Sequence, residues 1–488
     1  MKRPLFRVNA AFWLVSALFY LVSHLVLRFY FHDLWKDEWQ SWFVVRDMST
    51  IDMLKFLYYE GHPSLWYLYL KPFTLFSEWI RDDILIKVAH ALPFIGFVFL
   101  MSSFRKVPTW LLALFLLGYF PFYEYGLISR GYIFVCLTLF GIVRLHDTSF
   151  KYRHWWLASL YFLACQTEVY GLIGAGLLYF YYYIMPTGPS VKVVIKKLSD
   201  QEVFTPFLAL CLGVLVFYIT VNWAPDADEV RGRLVNIMSA YDGKTGFAQA
   251  FHGIFGRTFF PFSGISSVNN ILPISVWSSL ALISAGIVLW PFKRLLILFT
   301  IYTSLVLFFA STTYSGGLRQ WGMAYVFFMV CVFMMDFSLI KKNQSVWLAL
   351  LLILISHSIY NVIAVRDSIR FPFTNARLTG LYIQSKLPPS APIVGISPFN
   401  TAAASGYADR KFYELPEGVP FTYFKWLEKV YYPPEEELRL FAAYKKASVL
   451  YVITHEPISP DRYPSLRLVK AFDSFSLKNE NFYIYQLI

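Results

Sequence analysis

Apolar stretches alternate with short polar breaks over the first three quarters of the chain, and then the pattern stops. Stretches at 10–31, 84–101, 108–123, 129–145, 155–166, 169–185, 204–221, 271–290, 295–311, 320–337 and 346–365 predict about eleven membrane helices, since a crossing takes roughly 20 apolar residues. The interval 155–185 is too short for two full crossings and too long for one, so two short helices turning at Gln166-Thr167-Glu168 are expected. Phe247, Phe251, Phe255 and Phe259 recur four apart within 246–260. They form one apolar stripe, which predicts a helix lying on the bilayer surface with His252 and Arg257 off the stripe. Beyond about residue 366 the material changes to polar sequence with scattered Pro. There 391–396 and 448–454 read as strands. Pro434-Glu435-Glu436-Glu437 opens an amphipathic helix reaching Lys446, because acids favour a helix start. Lys478-Asn479-Glu480-Asn481 reads as a hairpin turn before a strand at 482–487. The expected fold is a polytopic α-helical membrane domain over 1–365 followed by a small soluble α/β domain over 366–488.

Composition agrees with that class. Of 488 residues, 57% are hydrophobic, 20% aromatic and 15% charged, against roughly 25% charged in soluble domains. The net charge of +12 does not point to nucleic acid, because the basic residues sit in short clusters between apolar runs. Lys2, Arg3 and Arg7 come before the first helix, Arg105 and Lys106 after the second, and Arg144, Lys151 and Arg153 after the fourth. Lys192, Lys196 and Lys197, then Lys293 and Arg294, then Lys341 and Lys342 continue on the same side. By the positive-inside rule that side, with the N-terminus, is the cytoplasm. The outer side then holds a long first loop, 32–83, a second long loop, 222–270, and the 366–488 domain. The first apolar run has no small-residue cleavage site behind it, so it reads as an uncleaved helix. Cys136, Cys165, Cys211 and Cys331 all lie in apolar runs, without metal-type spacing or a disulfide framework.

The outer face collects the unusual polar residues. Asp37 and Glu38 are adjacent at the start of the first loop, and carboxylates at a membrane boundary are candidates for chemistry. A positioned carboxylate can take a proton from a hydroxyl, and a second acid can help hold a divalent ion. Glu60-Gly61-His62-Pro63 opens an amphipathic run over 64–76, and His62 can ligate a metal or bond a phosphate. Glu124 and Arg130-Gly131-Tyr132 flank the turn between the third and fourth helices, and Arg has the donor fork that suits phosphate. Tyr314-Ser315-Gly316-Gly317-Leu318-Arg319-Gln320-Trp321-Gly322 places a glycine turn and an arginine at the start of a helix, an arrangement that can gather backbone N–H groups and a cation around one anion. Glu168 joins the same face at its turn. No nucleotide-binding loop or catalytic triad is present in the sequence of the C-terminal domain.

At these residues the chain resembles the GT-C glycosyltransferases that use polyprenyl-phosphate sugars, the group containing protein O-mannosyltransferases and lipid A aminoarabinose transferases. The matching features are the first helix, Asp37-Glu38 in a long first external loop, and His62-Pro63 before an aromatic segment. Arg130-Gly131-Tyr132 and the external Arg319, Trp321 and Gly322 complete the set. The match runs through about the first 170 residues and loosens afterwards. His62-Pro63-Ser64 stands where the family has His-Pro-Pro.

The resemblance implies an inverting transfer of a sugar from a polyprenyl-phosphate donor to a hydroxyl acceptor (protein, lipid or glycan) on the outer face of a bacterial inner membrane. It implies catalytic roles for Asp37, Glu38 and Glu124, with Asp37 as base. Donor contacts fall to His62, Arg130, Tyr132 and Arg319. Asp37 and His62 are the candidate ligands for a divalent ion, and no nucleotide is required. Two other classes fit the composition. A lipid flippase or other transporter predicts broken helices in two related halves, a repeat not found here. An inactive membrane protein can keep the fold without the activity.

Overall fold

The computed structural model describes residues 10–187, 199–222, 243–265, 268, 271–314, 316–426 and 430–488. Helices form where the apolar runs predict them. Among the described residues, Asp82–Ser102, Gln201–Asn222, Lys293–Thr312 and Gln344–Arg370 are the four helices whose length and apolarity suffice for a bilayer. The last runs on to Arg370, beyond the predicted end at 365. Shorter apolar helices include Tyr132–His146, Ile274–Leu289 and Leu318–Phe333. Arg153–Cys165 and Val169–Tyr179 flank a turn at 166–168, as the sequence predicts there. Several helices change to π-helical winding in their last turns, as at Leu27–Phe31 and Phe120–Glu124. Such wide turns rotate the following residues and recur at functional sites.

The phenylalanine stripe corrects one expectation. The helix Gly243–Phe251 passes into a π-helical segment His252–Arg257, and only its first phenylalanine, Phe247, is exposed. Phe255 and Phe259 are buried, and Phe259 packs on Phe299, Tyr325 and Phe328. The segment therefore enters the helix bundle instead of lying on a surface. An apolar stripe marks what must leave water, and helices meet that need as well as lipid does.

After Arg370 comes a six-stranded sheet with helices: β1 Ile393–Gly395, β2 Phe412–Glu414, β3 Val419–Phe421, β4 Leu450–Thr454, β5 Leu466–Phe472 and β6 Phe482–Leu487. The order is β3-β2-β1-β4-β6-β5, with β1 parallel to β2 and β4 and the other pairs antiparallel. The helix Pro398–Ala408 from this domain packs on Lys36–Asp47 of the first loop. Trp39 stands edge-on to Tyr407 at 5.1 Å, the Tyr407 hydroxyl accepts the Leu34 N–H at 2.6 Å, and Gln40 exchanges hydrogen bonds with Phe424. The sheet domain thus sits on the same side as the first loop.

Candidate active site

The first-loop helix Lys36–Asp47 brings both acids in its first turn. Neighbouring helical residues point about 100° apart, so the two serve different places. Glu38 turns inward. Its carboxylate meets His32 Nε2 at 3.0 Å and accepts the backbone N–H groups of Ser129 at 2.6 Å and Trp35 at 3.2 Å. Burial works to raise the Glu38 pKa, but His32 and these N–H donors hold it below the ordinary range. Glu38 is therefore a tie between the end of the first helix, the loop helix and the turn between the third and fourth helices, with no lone acid left for the chemistry the sequence suggested. Glu38→Ala is expected to destabilise the protein by about 3–5 kcal/mol, the range for removing one partner of a buried ion pair. Thermal unfolding in nanodiscs reads this directly, and an unchanged transition in an inactive protein would return Glu38 to catalysis.

Asp37 turns outward to two arginines. Its Oδ2 lies 3.3 Å from Arg319 Nη1 and 3.9 Å from Arg130 Nη1. Its Oδ1 makes no hydrogen bond among the described residues. Arg130 also donates from Nη1 to the Asp37 carbonyl at 2.8 Å, so it fixes the backbone of the acid that it faces. Glu124, delivered by the π-helical turn Phe120–Glu124, accepts the Tyr119 hydroxyl at 2.6 Å and lies 3.5 Å from Arg319 Nε. Arg319 thus bridges Asp37 and Glu124. Its guanidinium carbon is 5.2 Å from the centre of the Trp35 ring and 6.0 Å from that of Tyr132.

The glycine turn serves this arginine. Gly316 takes φ +67°, a left-handed conformation that favours glycine. Gly322, one turn on, lets Phe120 and the Tyr125 hydroxyl approach the helix where a Cβ would collide. That hydroxyl donates to the Arg319 carbonyl at 2.7 Å. The Gly317 N–H is already taken by Gln320 Oε1 at 3.0 Å, so this turn contributes its cation and no free Gly317 N–H to an anion.

His62 lies next to Arg130 and away from Asp37. Its Nε2 is 2.9 Å from Arg130 Nη2 and its Nδ1 is 3.0 Å from Glu168 Oε2. A guanidinium only donates, so Nε2 accepts and the ring proton on Nδ1 faces Glu168. Both ring nitrogens are engaged, and the charges nearest the Asp37 carboxylate are cations. This donor set does not fit a divalent ion shared by Asp37 and His62. Among the described residues no three His, Cys, Asp or Glu side chains gather to hold one. His252 is elsewhere, bonded to Ser278 at 2.9 Å.

Two groups of residues escaped the sequence reading. His24, Arg28 and His32 recur four apart in the first helix and are fully buried. His24 Nε2 lies 3.1 Å from the Phe122 carbonyl, and Arg28 bonds the Gly126 carbonyl and His90. They pin the turn between the third and fourth helices, which carries Arg130. Polar residues at helical spacing in an apolar run were the available signal.

The second group is Lys478 and Glu480 in the β5–β6 hairpin. Glu480 accepts the Thr374 hydroxyl at 2.6 Å and the Lys36 N–H at 3.4 Å, at the start of the helix that bears Asp37. Burial pushes its carboxyl up to about 7, against an opposing pull from Lys36. A carboxyl with a raised folded pKa keeps its proton longer than the unfolded chain does, so stability falls as pH rises between the ordinary value of 4.5 and about 7. The loss is about 3 kcal/mol at one pKa unit per 1.4 kcal/mol. Glu480→Gln is expected to flatten this part of the stability profile, measured by thermal unfolding at a series of pH values. An identical slope in both proteins would show that Glu480 is not the group responsible.

No protein-family model and no curated protein sequence matches the chain. Solved structures do. ArnT from Cupriavidus metallidurans bound to undecaprenyl phosphate superposes with a TM-score of 0.53 at 13% identity, over 98% of this chain and 99% of that one. The fold is that of ArnT. The apo state of the same protein gives a TM-score of 0.50 at 13% identity, over 98% of each chain. The match agrees with the GT-C architecture that the sequence resemblance implied, and the chain has helices long and apolar enough to cross a bilayer. At this identity the likeness reaches the fold, and the residues Asp37, Glu124, Arg130 and Arg319 are argued from their own geometry.

Proposed function

We propose that this chain is an integral-membrane glycosyltransferase that moves a sugar from a polyprenyl-phosphate donor to a hydroxyl acceptor on the extracytoplasmic face. The observation that carries the reading is the Asp37–Arg319–Glu124 bridge with Arg130 beside it. It joins three separate segments in a buried polar cluster, within a fold whose solved example is bound to undecaprenyl phosphate. The basic clusters between helices support a cytoplasmic N-terminus with the site on the outer side, and a bacterial inner membrane is the setting this reading assigns.

In this reading Asp37 Oδ1 takes the proton of the acceptor hydroxyl. The hydroxyl oxygen attacks the anomeric carbon, the bond from that carbon to the phosphate oxygen breaks, and the configuration inverts. The electron pair of that bond leaves with the polyprenyl phosphate, and the proton stays on Asp37 until solvent takes it. Arg319 and Arg130 oppose the negative charge that grows on the leaving phosphate. Fixed donors of this kind often supply the largest part of catalysis. Glu124 holds Arg319 in place from the other side. Tyr132 packs beside Arg319, its ring centre 6.0 Å from the guanidinium carbon, and stacks on Tyr125 at 5.7 Å. No step requires a nucleotide or a metal ion.

The test is release of free polyprenyl phosphate from a panel of polyprenyl-phosphate sugars by purified protein in nanodiscs, with a range of hydroxyl acceptors. Turnover of one donor by wild type and its loss in Asp37→Asn supports the transferase. A lipid that crosses the bilayer equally well with both proteins, while no donor turns over, replaces it with a transporter.

A further inference from the structure

The cations around Asp37 are not equivalent. Arg319 is held between the carboxylates of Asp37 and Glu124, and Arg130 between the Asp37 carbonyl and His62. Lys478 is different. Among the described residues its ammonium has no ion pair and no hydrogen-bond acceptor. It contacts ring faces instead, 4.3 Å from the centre of Trp35 and 5.2 Å from that of Phe373. An ammonium carries three donors, and the half-buried Lys478 directs none of them to an acceptor among the described residues. Burial holds Lys478 below the ordinary lysine range, with Arg319 adding to that effect and Glu124 opposing it.

Its position is fixed by backbone and not by chance reach. The Leu477 and Lys478 N–H groups donate to the Pro372 and Phe373 carbonyls at 3.1 and 3.0 Å. Two residues on, Glu480 anchors the hairpin to Thr374 and Lys36. Asn479 takes the left-handed turn between them at φ +51°. The hairpin therefore presents one lysine over Trp35, the indole that Arg319 also approaches. At that ring Arg319 is already held by two carboxylates and Lys478 by none among the described residues.

We propose that Lys478, carried by the β5–β6 hairpin, is the ammonium that receives the phosphate of the lipid donor above Trp35 and beside Arg319. The inference rests on the lipid-phosphate reading above and adds to it that the sheet domain completes the donor site. The phosphate gains a cation that no carboxylate among the described residues holds, and Lys478 gains charged acceptors.

The test uses the full chain in nanodiscs and compares wild type, Lys478→Gln and Lys478→Arg. Binding of undecaprenyl phosphate, of undecaprenol and of inorganic phosphate is followed by tryptophan fluorescence and native mass spectrometry. Lys478→Gln is expected to weaken undecaprenyl phosphate about tenfold or more, as loss of a charge-assisted contact should. Undecaprenol binding and the unfolding temperature stay as in wild type, and Lys478→Arg restores most of the phosphate preference. If wild type prefers the phosphate lipid and Lys478→Gln does so equally, the role of Lys478 is overturned while the lipid-phosphate reading stands. If both variants lose undecaprenol and undecaprenyl phosphate alike, the lysine acts through shape and the inference also fails. Lysine-dependent binding of inorganic phosphate without preference for the lipid form makes a free anion the ligand and overturns the assignment to the donor. A wild type that does not distinguish undecaprenyl phosphate from undecaprenol defeats the function reading itself.

Discussion

Asp37→Asn is expected to lower the single-turnover rate of sugar transfer about 10³-fold, within the range for loss of a positioned general base. The substitution keeps shape and volume. The Asp37 carbonyl still accepts from Arg130, and Arg319 keeps Glu124 as its partner. The backbone of the site should therefore stay in place, and donor binding should change far less than the rate. What disappears is the proton acceptor at Oδ1. Rapid-quench measurement of polyprenyl phosphate release, beside lipid binding on the same preparation, separates the two effects. A mutant within about tenfold of wild type would remove Asp37 from the role of base, because such catalysis contributes at least 10²-fold.

Arg319→Ala carries the second large effect, and it acts twice. Loss of one fixed donor to a growing oxyanion costs about 10²–10³ in rate. The same change leaves Asp37 and Glu124 without the cation between them, two buried carboxylates of like charge. Breaking a buried pair in this way destabilises by about 3–5 kcal/mol. Arg319→Lys divides the effects. An ammonium cannot span the Nη1 contact to Asp37 and the Nε contact to Glu124 together. The lysine variant should regain stability more fully than rate. Thermal unfolding and single-turnover rates on both variants check this, and equal recovery of both would show that Arg319 acts through structure alone.

The helices were legible because apolar runs of spanning length have few other uses. The site was legible in part, and the boundary is physical. Asp37, Glu124, Arg130 and Arg319 are costly polar residues at the ends of apolar runs, and the fold brings them together. Glu38 looked equivalent to Asp37 because a dipeptide does not show which way each side chain turns. The partner that decides it, His32, stands at the end of the first apolar run, with nothing local to tie it to Glu38. His62 was read as a possible partner of Asp37, but its neighbour Arg130 occupies the space between them. The phenylalanine stripe at 247–259 was read correctly as a helix face and wrongly as a lipid contact, since sequence does not say which apolar medium the face meets. Lys478 and Glu480 read as an ordinary hairpin turn. Their meaning depends on a pairing with Lys36 across 444 residues, which no local pattern encodes.

That separation gives the chain an order of assembly during synthesis. The segment with Asp37 leaves the ribosome early, followed by the helices that carry Arg130 and Arg319. Until the β5–β6 hairpin has been translated and has docked, the first turn of the Asp37 helix lacks its Glu480 cap and Trp35 lacks its lysine. A message truncated between codons 371 and 477 would still encode the last spanning helix, Gln344–Arg370, and all before it, yet its product would lack Lys478 and Glu480. If the proposed function holds, a nascent chain would gain its complete donor site only after the β5–β6 hairpin has docked on the helix that bears Asp37.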